Sequence, residues 1–330
     1  MNTDRRTDQR PVILITGCAS GLGLALATKL HSQDKYRIVA TARRESYAKL
    51  RSTFPDKDNF MVRELDVTDD VRINTLVNEI CLTWGHIDVL INNAGVCYRS
   101  VVEHMDIESE YRQLKTNYLG PMSLVRSVLP MMRERKKGHI INVSSVSGMV
   151  SMPTMASYSA SKHALEGASE ALWYEARPYG IKVTLIQPGF INSDSFKHVV
   201  FSRKANLSSK LQGPHSEYYD TMGPFIERLM HWTRSTPERV ADKIIQVIEM
   251  KHPPLRRSVT PDAILFRILR RVLPAEIFHR IMFWFLPGSQ IWGRKRPQRR
   301  MAGVNRDLNK FVGSGEFRRH SKTPPSLQGP

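Results

Sequence analysis

Hydrophobic and polar positions fall in alternating blocks along this chain. Pro11-Val-Ile-Leu-Ile-Thr16 is a continuous apolar run, the pattern of a strand buried on both faces, and it passes through glycines into Leu24-Ala-Leu-Ala-Thr-Lys-Leu30, which has helical character. Further strands are predicted at Tyr36–Thr41, Phe60–Thr68 and Ile87–Ile91, with a helical stretch ending at Trp84 between the last two. His139-Ile-Ile-Asn-Val is another β-branched run, ending in the hydroxyl cluster Ser144, Ser145 and Ser147. Strand followed by helix, repeated, predicts an α/β fold: a doubly wound parallel sheet covered on both faces.

After Ser193 the alternation stops. Residues 194–235 mix Phe196, Phe201, Tyr218, Tyr219, Met222, Phe225, Met230 and Trp232 with glycines and prolines. These side chains suit either a hydrophobic ligand or simple packing of a lobe on the sheet. Ser235-Thr236-Pro237-Glu238 then predicts a capped helix start, continued through Val240, Ile244, Ile245 and Ile248. Two apolar segments, Ala263–Leu273 and Ile277–Leu286, carry Arg267, Arg270, Arg271 and Arg280. Neither reaches the roughly 20 residues that span a bilayer, so they predict a C-terminal helical extension, lying at a membrane interface or capping the lobe. The predicted organisation is a polar segment 1–10, a main domain 11–250, the extension 251–292 and a basic, flexible tail 293–330.

With 330 residues and 41% hydrophobic content, one large domain can bury a sizeable core. The formal charge is +18, yet 17 Lys and Arg against 4 Asp and Glu after residue 250 give +13 there and leave +5 for the rest. The basic character belongs to the C-terminal part, a distribution that suits anionic lipid or solvent better than nucleic acid, and no nucleic-acid partner is expected. Cys18, Cys81 and Cys97 have no metal-ligand spacing and fit a reducing compartment; no metal site is expected. The first ten residues lack the apolar core of a secretory signal, so a cytoplasmic location, with peripheral membrane contact through 261–292, is the expectation.

Three stretches carry candidate chemistry. Gly17-Cys-Ala-Ser20-Gly21-Leu22-Gly23, between a strand and a helix, would let backbone approach a pyrophosphate at a helix N-terminus. Arg43 and Arg44 stand after the second strand, where an acidic residue would favour a free ribose hydroxyl; they read as partners of a 2′-phosphate or as solvated charges at a helix start. Tyr158 and Lys162, four apart, share a helix face, and a neighbouring ammonium should lower the phenol pKa and fit it for general acid/base work. His163 points about 100° away from Lys162 and reads as structural.

Taken together, Thr16-Gly17-x-x-x-Gly21-x-Gly23, Asp66, Asn92-Asn93-Ala94-Gly95, Asn117, the serine cluster, Tyr158-x-x-x-Lys162 and Pro188-Gly189 resemble the short-chain dehydrogenase/reductase family over roughly residues 11–250. The long apolar extension is most similar to its hydroxysteroid and retinol dehydrogenase branch. The resemblance implies a Rossmann-type fold and four catalytic residues: Ser145 orienting the substrate carbonyl, Tyr158 exchanging the proton, Lys162 on the nicotinamide ribose and Asn117 holding a water beside that lysine. Substrate would meet Ser145 and Tyr158. It further implies cofactor contacts from Thr16, Gly17, Ser20, Gly21, Leu22 and Gly23, from Asp66 and Val67 near adenine, from Asn93, Ala94 and Gly95, and from Pro188, Gly189, Ile191 and Ser193 beside the carboxamide. The segment 194–235 would be a mobile lobe over the substrate, and a homo-oligomer is implied.

The resulting reading is an NADP(H)-dependent oxidoreductase, with NAD(H) as the alternative cofactor, that interconverts carbonyl and alcohol on a steroid-, retinoid- or lipid-like substrate. A long-chain keto-lipid reductase and a non-catalytic dinucleotide sensor are the alternatives.

Overall fold

The structure is a computed structural model that describes residues 9–193 and 199–293. Its centre is β1 (Val12–Ile15), four consecutive residues with no exposure, as the unbroken apolar run requires of a strand covered on both faces. Around it stand β2 (Arg37–Ala42), β3 (Phe60–Glu64), β4 (Val89–Asn92), β6 (Gly138–Val143), β7 (Ile181–Gln187) and β9 (Arg256–Ser258) in the order β3-β2-β1-β4-β6-β7-β9. Every pairing in this sheet is parallel. This is the doubly wound, Rossmann-type arrangement, whose strand order reverses between β1 and β4.

Helices cover both faces. On one side, α1 (Gly21–Gln33) and α9 (Pro237–Glu249) pack together over Ile13, Ile15, Ile38 and Ala40. On the other, α3 (Asp70–Trp84), α5 (Gly120–Glu134) and α6 (Ala156–Ala176) cover Val12, Leu14, Leu90 and Ile140. α2 (Arg44–Thr53) follows β2, and α4 (Ile107–Leu114) enters α5 through a π-helical turn, Lys115–Leu119. The expected start of α9 is present, with Thr236 Oγ1 accepting from the Arg239 backbone N–H.

Where the alternation was expected to stop, the chain builds a second layer. β5 (Tyr98–Arg99) pairs in parallel with β8 (Val200–Phe201), and α7 (Arg203–Leu211) and α8 (Ser216–Trp232) pack on one another. Gly213-Pro214 separates these two helices. The extension then forms α10 (Pro261–Val272) and α11 (Ala275–Phe285), where the two apolar segments stand.

The boundary expected at residue 250 falls inside the sheet, because β9 pairs with β7 through Leu185↔Arg256, Ile186↔Arg257 and Gln187↔Ser258. The sheet edge and the helical extension are therefore one continuous piece. The expected tail, apart from Gly293, and most of the N-terminal segment lie outside the described residues, as does Phe196 in the lobe.

Candidate active site

The glycine turn after β1 is shaped by contacts only glycine permits. Gly17 has φ +72°, and a Cβ there would come within 2.8 Å of the Ala94 Cα. A Cβ on Gly23 would collide with the Gly17 carbonyl. Two side chains brace this turn against the loop after β4. Thr16 Oγ1 accepts from the backbone N–H groups of Asn93 and Ala94, both at 3.0 Å, while Asn93 Nδ2 donates to the carbonyls of Thr16 and Gly17 at 2.9 and 3.1 Å. Thr16 is buried, so its side chain serves the shape of the cleft.

α1 opens at this turn with its N-terminal amides uncovered. Ser20 makes no side-chain cap, the first turn holds no acidic residue, and the space where a Gly21 Cβ would stand is open. These unspent donors and the helix dipole fit the pyrophosphate of a dinucleotide. Leu22 packs against the core beneath the turn. Arg43 and Arg44 are exposed at the end of β2 and the start of α2, and neither forms an ion pair among the described residues. Asp66, exposed after β3, accepts from Thr68 N and Oγ1, each at 2.8 Å, while Val67 is buried under α5 at the close approach of Gly120.

Beyond β4, the cleft leads to α6. Its register puts Tyr158 and Lys162 on one face, with Lys162 Nζ 5.8 Å from the Tyr158 ring centroid and donating to the Val143 carbonyl at 2.9 Å. The Ser145 hydroxyl hydrogen-bonds Tyr158 and accepts from Ser147 N at 3.1 Å. Ser144 is buried with no hydrogen-bond partner for its hydroxyl among the described residues, and Ser145 is the serine that bonds the phenol. Gly95 keeps this corner open, since a Cβ there would lie 3.3 Å from Asn117 Oδ1 and 4.0 Å from Lys162 Nζ.

Asn117 occupies the π-helical turn, a local distortion of a kind found often at functional sites. Its amide clamps Val96, accepting from the backbone N–H and donating to the carbonyl, both at 2.9 Å, and also donates to Ser161 Oγ at 3.0 Å. Among the described residues its side chain is thus engaged in fixing the β4 loop against α6.

The expectation that Lys162 lowers the Tyr158 pKa is corrected by the environment. Burial dominates and pushes the phenol above its usual value, Cys97 adds to the rise, and Ser145 and Arg99 pull the other way. Burial also pulls Lys162 down to about 8, against opposing contributions from Cys97 and Glu166. Arg99 on β5 is itself buried, and its guanidinium hydrogen-bonds Cys97 and acts on Tyr158. Cys97 and Arg99 are site residues beyond those expected: Cys97 follows the Asn93-Ala94-Gly95 loop, and Arg99 stands on β5, which pairs with β8.

The loop after β7 completes the cleft and is held by the extension. Gly189 N donates to Thr260 Oγ1 and Phe190 N donates to Asp262 Oδ2, each at 2.8 Å. A side chain on Gly189 would collide with the Asp262 carboxylate. Pro188, Ile191 and Ser193 lie along this loop, and Ile191 packs against the core. The far end of the extension meets the lobe, where Trp292 stacks on Tyr218 at 4.5 Å and donates to Thr221 Oγ1 at 3.1 Å. Within the lobe Tyr219, Met222 and Ile226 are buried while Trp232 is exposed.

Glu103, His104 and His215 also come together, a grouping their spacing conceals. His215 Nε2 lies 2.6 Å from Glu103 Oε2 and His104 Nδ1 lies 3.0 Å from the Tyr219 hydroxyl, so these groups satisfy one another.

Comparison with known proteins agrees with this geometry. The family model described as short chain dehydrogenase matches residues 11–203. A 3-ketodihydrosphingosine reductase of Bacteroides thetaiotaomicron is 35% identical over 257 residues, 77% of this chain and 89% of that protein. Retinol dehydrogenase 8 of Bos taurus is 33% identical over 257 residues, 76% of this chain and 81% of that protein. Among solved structures, a short-chain dehydrogenase from Streptomyces avermitilis superposes with a TM-score of 0.70 at 30% identity, covering 84% of this chain and 97% of the other. A serine dehydrogenase complexed with NADP+ gives 0.62 at 25% identity, covering 76% and 95%. With its doubly wound sheet, glycine turn and tyrosine helix, this chain belongs to the short-chain dehydrogenase family of oxidoreductases.

Proposed function

We propose that the protein interconverts a carbonyl and an alcohol on a hydrophobic, lipid-like substrate with NADP(H), Tyr158 acting as the general acid/base. The observation that carries the reading is the Ser145, Tyr158 and Lys162 cluster at the mouth of the glycine-turn cleft. The residues fit a nicotinamide dinucleotide, because the turn leaves uncovered amides at the α1 N-terminus and space that larger side chains would close. Bound there, the cofactor would supply or accept the hydride.

In this mechanism the chain supplies position and a proton. Ser145 holds the substrate oxygen against the phenol, and Tyr158 gives its proton as the carbonyl is reduced or takes one as the alcohol is oxidised. Burial favours the protonated phenol, the form that donates when a carbonyl is reduced. Lys162, as a cation, stabilises the phenolate left after transfer. Arg43 and Arg44, exposed and without ion pairs among the described residues, support NADP(H) over NAD(H).

The relatives named for 3-ketodihydrosphingosine and retinol support a lipid-like substrate, and the aromatic lobe under Trp292 is suited to receive one. No helix among the described residues is long and apolar enough to cross a membrane. The reading includes a cytoplasmic enzyme that meets membranes peripherally and forms a homo-oligomer, for which exposed Tyr174 on α6 and nearby Tyr179 offer contact surface. A panel of steroid, retinoid, long-chain keto and small polar carbonyls with NADPH, run beside Tyr158→Phe, tests it. Turnover confined to small polar carbonyls contradicts the substrate class, and none with any carbonyl contradicts the reaction.

A further inference from the structure

The α10–α11 hairpin turns its most apolar side away from the protein. On α10 only Ala263 is buried, whereas Ile264, Leu265, Ile268 and Val272 are 39, 54, 49 and 70% exposed. At about 100° per residue these four form one stripe on the side opposite Ala263. On α11, Phe278 is buried while Phe283, Trp284 and Phe285 are 56, 68 and 65% exposed. A solvated surface helix has the reverse arrangement, and a contiguous apolar face of this kind marks a surface that is covered by something else.

Between α10 and α6 lies an open cavity of about 410 Å³ lined by His163, Glu166, Arg256, Arg267, Arg270 and Arg271. Arg256 is already engaged, at 3.0 Å from Glu166 and 2.6 Å from Glu170, and Glu166 also accepts from Gln187 Nε2 at 2.8 and 3.0 Å. Arg270 lies over the Phe278 ring at 5.4 Å, with Nη1 3.4 Å from His279 Nε2. Arg267 and Arg271 meet no carboxylate among the described residues. Positive charge is therefore in surplus in the cavity. By the same helical spacing Arg267 and Arg271, about 40° and 80° round from Ala263, occupy the flank between the buried side and the apolar stripe, the level of phosphate groups when such a stripe enters acyl chains, while Arg270 lies on the Ala263 side over Phe278.

We propose that the α10–α11 hairpin docks on an anionic bilayer surface and seats a phosphate-bearing lipid headgroup in the arginine cavity. Charge selects lipid over a second copy of the chain, because two copies meeting through this face would bring together Arg267, Arg271 and Arg280 of each against the hairpin's single exposed acid, Glu276. The proposal rests on the peripheral-membrane part of the reading above and is independent of the reaction.

Cosedimentation of the full chain with vesicles of phosphatidylcholine alone, or doped with phosphatidylserine, tests it. Binding is expected to the doped vesicles and to weaken with salt. Each arginine at an anionic surface is worth about fivefold in partitioning, so Arg267→Gln/Arg271→Gln should lose about thirty-fold without changing the thermal unfolding midpoint. Trp284→Ser/Phe285→Ser should lose binding to the doped vesicles. If the wild type sediments and the arginine variant does so equally, the headgroup cavity is refuted while peripheral attachment stands. If the wild type sediments with neither vesicle, both fall. Two further results also overturn the proposal: conversion of a dimer to a monomer by the apolar variant with no vesicle binding, and protection against thermal unfolding by inorganic phosphate, lost in the arginine variant, with no vesicle binding.

Discussion

Asp262 accepts the backbone N–H of Phe190 through Oδ2 at 2.8 Å, so the first turn of α10 holds the loop that leaves β7 toward the cleft. Thr260 does the same for Gly189. The extension is therefore both a cap and an exposed apolar surface: its base holds the cleft, its end stacks on the lobe at Tyr218, and its outer stripe faces away.

Asp262→Ala should destabilise the protein by about 1.5–3 kcal/mol, the range for loss of a hydrogen bond to a charged group. Urea unfolding would measure it, and an unchanged midpoint would mean that the contact holds nothing in place. Deleting the chain after residue 255 is a harsher change, since it removes β9 from the sheet as well.

Lys162 gives the enzyme a pH signature. Its native pKa is pulled down to about 8 from 10.5, so between those values the unfolded chain binds more protons than the folded one. Lys162 should then contribute stability that rises with pH across that window, opposed by the buried thiols and phenols whose pKa is raised, and read as the difference between wild type and Lys162→Met. Carbonyl reduction should move the opposite way, with kcat/KM falling above about pH 8 as the cation beside the phenol is lost. Parallel stability profiles of the wild type and Lys162→Met from pH 8 to 10.5 would show that Lys162 titrates as an ordinary lysine.

Arg43 and Arg44 should set cofactor choice. At about 1.5 kcal/mol or more per charge-assisted contact, replacing both with alanine should weaken NADPH binding by about a hundredfold and leave NADH nearly unchanged. Fluorescence titration of the two cofactors reads this directly. Equal affinity of the unaltered protein for both would mean the arginines are merely solvated.

What could be read in the sequence was what local spacing encodes. The glycine turn, the Tyr158 and Lys162 face and the strand-helix alternation each depend on residues a few positions apart, and each stands where expected. Arg99 reaches Tyr158 only because β5 is carried over α6, and no pattern around Tyr98-Arg99 announces that. β9 is Arg-Arg-Ser, a sheet edge with no apolar run, and its place comes from backbone pairing alone. The Tyr158 pKa was misjudged for a related reason: charge proximity can be inferred from spacing, but burial depends on everything packed around the site.

Tyr158→Phe tests the central claim most directly, by comparing turnover of a long-chain or retinoid carbonyl with NADPH while cofactor affinity is measured in parallel. The ring packs alike and lacks the exchangeable proton, so kcat should fall by about 10² to 10⁴ with NADPH affinity preserved. Near-normal turnover by the variant would remove Tyr158 from proton transfer and contradict the mechanism.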